Sequence, residues 1–269
     1  MLEIDEFIVT KEYKRFREFC NACYKEKYIG LCHGQAGVGK SMSAKHFSSW
    51  DVIDKDIQRS VPFRVGLEPS IDMRSHHTII YTPEMINSPK SAKEDIGQLM
   101  HSFNRLKEKS LYKENIPIDV RLDNYVELII IDEADRLQPA TLEQIRAIYD
   151  KYSIALILIG MPGIEKRLVR FPQLYSRIGF AHTFKTLSNE EISFIIQHHC
   201  NLLGVEVKIG DFMDQEAIAT ISRITQGNFR LVNRLLKQAK RIMAVNQLSF
   251  ISKEVVEAAR ECLVIGNIY

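Results

Sequence analysis

Eight consecutive residues, Gly34, Gln35, Ala36, Gly37, Val38, Gly39, Lys40 and Ser41, fit the pattern G-x-x-x-x-G-K-[ST] without deviation. Few short patterns constrain a fold as tightly, because this one demands a strand before it and a helix after it. Both are expected here. Tyr28 to Cys32 is a short apolar run that suits a buried strand, and helical spacing follows from about Lys40 to Ser49. The chemistry follows from the residue types. Glycines let a loop turn its N–H groups inward, as a triphosphate with many acceptor oxygens requires. Lys40 supplies a point charge for the outer phosphates, and the Ser41 hydroxyl is placed for Mg²⁺. A helix beginning at Lys40 would aim its positive end at the same anion.

The second half of such a site is also present. Leu128 to Ile131 is apolar and mostly β-branched, as in a strand buried on both faces, and Asp132-Glu133 follows at once. Both carboxylates therefore leave the carboxyl edge of a sheet, where open α/β folds bind ligands. Asp132 is the expected metal partner, and Glu133 the expected orienter or base for an attacking water. The plainer alternative is an acidic cap on the next helix.

Strand-like and helix-like stretches alternate along the first two thirds of the chain. Strands are expected at His77–Tyr81, Val126–Ile131, Ile154–Ile159 and Phe180–Leu187. Helices are expected at Thr10–Lys27, Ser91–Lys109 and Thr141–Lys151. Beyond Leu187 the pattern is helical only. It opens on Ser188-Asn-Glu-Glu191, which has capping-box spacing, and continues near Asp214–Thr225, Phe229–Val245 and Ser252–Leu263. The expected architecture is α/β, a parallel sheet flanked by helices over residues 1–187, with a helical subdomain over 188–269.

The combination of Gly34 to Ser41, Ile129-Ile-Ile-Asp-Glu-Ala-Asp-Arg-Leu137 and the following helix resembles the P-loop ATPases of the AAA+ family. More narrowly, Asp132 to Leu137 with Leu156-Ile-Leu-Ile-Gly160 is similar to the DNA-transposition regulators of the TnsC, TniB and MuB group. That resemblance implies an AAA+ core with a helical lid, ATP and Mg²⁺ as ligands, and hydrolysis of ATP, which a departure from the family pattern at Met161 is expected to slow. It also carries two arginines. Gly227-Asn-Phe-Arg230 resembles a sensor 2 motif, which would bring Arg230 to the γ-phosphate. Arg177, in Leu-Tyr-Ser-Arg-Ile-Gly-Phe, is similar to an arginine finger offered to a neighbouring subunit, with Arg170 as its rival. Guanidinium suits both tasks because it keeps its charge and forks onto phosphate oxygens. The plainer readings are a helix-surface arginine for Arg230 and a salt-bridged one for Arg177. One position departs from the family pattern: Met161 stands where Asn or Thr often senses the γ-phosphate, and it cannot donate a hydrogen bond.

The implied partners are duplex DNA, further copies of the chain in a ring or filament, a transposase and a target-selection protein. A net charge of +2 neither requires nor forbids DNA. Lys90, Lys93, Arg105, Lys107, Lys109 and Lys113 could contact phosphates, although Glu94, Asp95, Glu108 and Glu114 make a solvated helix face equally consistent. A helicase loader or other assembly factor, and an ATP-binding scaffold without turnover, are the alternative classes. The N-terminus carries Glu3, Asp5 and Glu6 and does not read as a signal peptide, and no apolar run nears the roughly 18 residues of a membrane span. The expected location is the cytoplasm, with no membrane partner.

The cysteines, Cys20, Cys23, Cys32, Cys200 and Cys262, are odd in number and scattered, so no disulfide framework is expected. Cys20 and Cys23 read as thiols on a partly buried helix. His198-His199-Cys200 occupies adjacent helix positions that point in different directions and cannot converge on one metal without help, so core or surface histidines are expected.

Overall fold

The computed structural model describes residues 7–59, 68–113, 124–201, 212–248 and 250–263. Contacts divide the chain into two compact units, and the division is not consecutive in sequence. One unit comprises residues 13–34 and 40–183; the other comprises 1–12, 35–39 and 184–269.

The first unit is built on five strands: β1 (Ile29–His33), β2 (Thr78–Tyr81), β3 (Leu128–Ile131), β4 (Ala155–Gly160) and β5 (Ile178–Thr183). All pair in parallel, in the order β2-β3-β4-β1-β5. The three middle strands are apolar runs whose side chains are nearly all buried, as a sheet covered on both faces requires. In this order β1 lies between β4 and β5, so the loops leaving β1 and β4 emerge side by side at the carboxyl edge. Registers place His33 opposite Gly160 and Ile131 opposite Leu158, so Asp132 leaves β3 within a residue of the same level.

Helices cover the sheet: α1 (Lys11–Glu26), α2 (Lys40–Ser48), α3 (Trp50–Arg59), α4 (Pro89–Lys113), α5 (Pro139–Tyr152) and the short α6 (Ile164–Leu168) and α7 (Pro172–Tyr175). Phe16, Phe103 and Ile53 are fully buried beneath them. The sequence reading missed α3. Ser49 adopts φ 55° and breaks one helix from the next, and Trp50, Ile53 and Ile57 then recur at helical spacing and are buried.

The second unit contains α8 (Asn189–Asn201), α9 (Phe212–Thr225), α10 (Phe229–Val245) and α11 (Lys253–Glu261) around a core of Ile192, Ile196, Ile221, Val232, Leu235 and Val256. Ile8 packs in the same core. The capping box is formed: Ser188 N–H donates to Glu191 Oε2 at 3.0 Å, and Glu191 N–H donates to Ser188 Oγ at 3.3 Å. The last strand starts at Ile178 and ends at Thr183, not Phe180 to Leu187. Leu187 is drawn off into the helical core, where its N–H donates to Gly227 O at 2.8 Å.

Candidate active site

The carboxyl edge of the sheet carries Gly34 after β1 and Asp132 and Glu133 after β3. Gly34 follows β1 directly, and its N–H donates to Gly160 O at 3.3 Å, so the loop begins fastened to the end of β4. At the other end of the loop, Lys40 opens α2. Its ammonium donates back to Gly34 O at 2.5 Å and lies 4.0 Å from Met161 Sδ. Ser41, half-buried, is the next residue of α2.

Asp132 is buried, with its N–H bonded to Tyr81 O at 2.9 Å and its Oδ1 accepting Glu133 N–H at 3.0 Å. Glu133 is exposed and adopts φ 53°, ψ 43°. Among the described residues, the other non-glycine residues with positive φ all follow helices, where a left-handed residue is an ordinary terminator. Among the same residues Glu133 alone follows a strand, in a conformation that costs roughly 1–2 kcal/mol for an L-residue. Its carboxylate is paired with Arg136, which also donates to Pro83 O at 3.2 Å.

Two neighbours were not singled out by the sequence reading. Asp135 Oδ2 accepts the Met161 N–H at 2.7 Å, so the loop after β4 is held by its backbone where a polar side chain was expected. A Cβ on Gly160 would lie 2.8 Å from that carboxylate and 2.5 Å from Ile164 Cδ1, which accounts for glycine there. Arg167 donates to Asp135 O and Leu137 O. Asp135 stands in the stretch that carries the family resemblance and Arg167 lies outside it, and the spacing of neither reveals these partners.

Arg177 lies at the opposite edge. It directly precedes β5, and its carbonyl accepts the Ile29 N–H at the start of β1. Its guanidinium forks onto Asp150, with Nε–Oδ1 2.8 Å and Nη2–Oδ2 3.2 Å. Arg170 is exposed, and among the described residues no ion-pair partner is found for it.

Gln35 to Gly39 belong to the second unit. Gly37 and Gly39 adopt φ +80° and +110°, which only glycine takes without strain. Val38 is buried, and the Phe184 ring is 3.8 Å from a Cβ built on Gly39. The start of α10 holds the loop: Asn228 Nδ2 donates to Ala36 O at 2.7 Å, and Arg230 N–H donates to Gly37 O at 2.9 Å. The Arg230 side chain is exposed.

The cation set on α4 is less available than its sequence implied. Lys107 turns inward to His76 O at 2.6 Å, and burial lowers its pKa. Lys113 pairs with Glu68 at 2.7 Å, and Lys90 with Glu94 at 3.9 Å. Lys93 and Arg105 are exposed; Glu114 lies outside the described residues. Cys20 and Cys23 are buried, and burial pushes the Cys23 thiol up to about 12, which removes the reactive thiolate. Among the described residues no three His, Cys, Asp or Glu side chains are grouped to hold a metal, and no helix is long and apolar enough to cross a membrane. The side chains of His199 and Cys200 lie outside the described residues.

A phosphate loop after β1, an acid pair after β3 and a helical C-terminal unit define a nucleotide-binding AAA+ fold. The family described as "AAA domain" matches residues 23–168, more than half of the chain, and the chain belongs to it. A Staphylococcus aureus protein named "Potential ATP-binding protein" is 46% identical over 275 residues, covering 99% of each chain. The "Holliday junction branch migration complex subunit RuvB" of Prochlorococcus marinus is 25% identical over 158 residues, which cover 52% of this chain and 43% of that one. Among solved structures, the Thermotoga maritima RuvB Holliday junction branch migration motor superposes with a TM-score of 0.60 at 19% identity, covering 98% of this chain and 72% of that one.

Proposed function

We propose that this chain is an ATP-hydrolysing switch that assembles as an oligomer on duplex DNA. The observation that carries the reading is the juxtaposition at one sheet edge of the loop bounded by Gly34 and Lys40 with Asp132 and Glu133. Gly34 to Ser41 cradle the triphosphate, and Lys40 exchanges its bond to Gly34 O for phosphate oxygens. The Ser41 hydroxyl and the Asp132 carboxylate are hard oxygen donors of the kind Mg²⁺ takes, and they would hold it. Held there, the ion would supply positive charge against the charge that develops on the phosphates. Glu133 orients the attacking water, and Arg230, at the start of α10, is the lid arginine for the γ-phosphate.

Geometry also favours a shared site. Arg177 adjoins the first residue of β1 and the loop follows the fifth, so strand rise alone separates them by about 16 Å. An arginine at that edge serves a neighbour's nucleotide and not its own, and its bond to Asp150 keeps it ordered until the neighbour arrives.

Two relations support DNA as the surface of assembly. The matched RuvB proteins are named as subunits of a complex acting on Holliday junctions, and the Asp132 to Leu137 stretch is similar to transposition regulators. In that narrower reading the assembly marks a target and recruits a transposase. Lys93 and Arg105 are the α4 cations placed for phosphate contact. The test is fluorescence anisotropy of a labelled duplex with ATP, ADP or no nucleotide over a range of salt. Affinity is expected to be highest with ATP, and log Kd to vary with log salt by about 0.9 for each phosphate contacted. Affinity indifferent to both nucleotide and salt would reject DNA as the partner.

A further inference from the structure

A loop that receives a triphosphate has a second requirement besides inward N–H groups. Its carbonyls must turn away from the anion, and a donor fixed outside the loop can hold a carbonyl in that direction. Two consecutive loop carbonyls are satisfied by the start of α10: Ala36 O by Asn228 Nδ2 at 2.7 Å, and Gly37 O by Arg230 N–H at 2.9 Å. All of these residues lie within one compact unit.

Asn228 is the residue on which this arrangement turns. Its Oδ1 accepts the Leu231 N–H at 3.3 Å and caps α10, while the Nδ2 of the same amide holds the loop. Its own N–H is fixed to Thr225 O at 2.9 Å. Gly227 before it takes φ +71°, and a Cβ there would stand 2.3 Å from Leu187 O, so the backbone entering Asn228 has little freedom. The loop is shaped to match: a Cβ on Gly37 would lie 2.6 Å from Asn228 Oδ1 and 3.1 Å from Arg230 Cβ. Gly37 thus serves both a left-handed turn and the close approach of this amide.

We propose that Asn228 is a positioning residue for nucleotide binding, which holds the Ala36 carbonyl outward so that the loop presents its N–H groups to the phosphates. This rests on the assignment of Gly34 to Ser41 as the triphosphate loop. Asn228 touches the loop and not the nucleotide. Through it, the first turn of α10 sets both the shape of the loop and the backbone from which Arg230 projects. Most residues could occupy a position that only entered a helix, and serine caps as well as asparagine. Serine cannot span to Ala36 O and carries no amide donor.

That difference gives the test. In the full chain, Asn228→Ser keeps a cap and loses the loop bond, whereas Asn228→Ala loses both. Both variants are expected to bind a fluorescent ATP analogue and ADP about tenfold more weakly than the parent, with KM raised and kcat changed less. Only Asn228→Ala is expected to lower Tm as well. If Asn228→Ser binds nucleotide as the parent does, or if affinity tracks Tm across the two variants, Asn228 is a helix cap only and the inference is overturned. A parent chain that binds no nucleotide would overturn the inference together with the loop assignment beneath it. A parent that binds normally beside an unaffected Asn228→Ser would overturn the inference alone.

Discussion

Glu133→Gln is expected to retain ATP and lose turnover, while Lys40→Ala is expected to lose most of the binding itself. In the proposed function the two side chains stand at different steps of one reaction. Lys40 closes the loop on Gly34 O, and in the proposed function it is the charge offered to the phosphates; nothing else in the Gly34 to Ser41 stretch carries a positive charge. Glu133 lies beyond β3 on a left-handed residue whose N–H is held by Asp132. Glutamine preserves its size and can still accept from Arg136, so the loop between β3 and α5 should keep its shape. It cannot act as a base or polarise water as a carboxylate does. A loss on the order of 10²-fold or more in phosphate release is expected from removing such a group, with nucleotide affinity within a few-fold of the parent. Phosphate release and equilibrium binding measured on both variants check this. Undiminished turnover in Glu133→Gln would remove Glu133 from the reaction.

Arg177→Ala is expected to bind ATP normally and hydrolyse it on the order of 10³-fold more slowly, the usual effect of losing a trans arginine. Asp150 offers a control. Asp150→Asn releases the guanidinium from its fork without removing it, so hydrolysis should survive if Arg177 works in trans. A merely structural Arg177 would suffer in both variants, with a falling Tm. Mixing Arg177→Ala with Glu133→Gln should restore part of the activity, because some interfaces then combine an intact Arg177 with an intact Glu133. If no ratio restores activity, and Arg170→Ala shows the defect in its place, the finger is Arg170.

Much of the fold was legible because local and tertiary preferences agree. Leu128 to Ile131 and Ala155 to Gly160 are apolar at every position, and only a sheet covered on both faces buries such runs completely. The phosphate loop was legible because its glycines answer a backbone demand that no other residue meets. What escaped depended on groups far apart in the chain. The helix at Trp50 was hidden because α2 and α3 meet at a single left-handed serine with no glycine or proline to mark the break. Leu187 looked like the end of a strand because it is apolar, but an apolar residue does not declare which of two cores it joins. At the site, Met161 read as a lost side-chain donor; that its backbone N–H would meet Asp135 depends on the level at which β3 and β4 end. The amide of Asn228 lies 192 positions from the carbonyl it holds. On α4, charge counting could not show that Lys107 is spent on a backbone carbonyl.

The trans role of Arg177 presupposes that ATP brings copies of the chain together, and the proposed function places that assembly on DNA. Electron microscopy of the protein mixed with duplex DNA and a non-hydrolysable ATP analogue tests this most directly. The account predicts rings or filaments of regularly repeating subunits enclosing or following the duplex, with nucleotide at each interface and Arg177 of one subunit turned towards the Gly34 to Ser41 loop of the next. Isolated single chains beside bare DNA, at concentrations where the analogue saturates the protein, would contradict it.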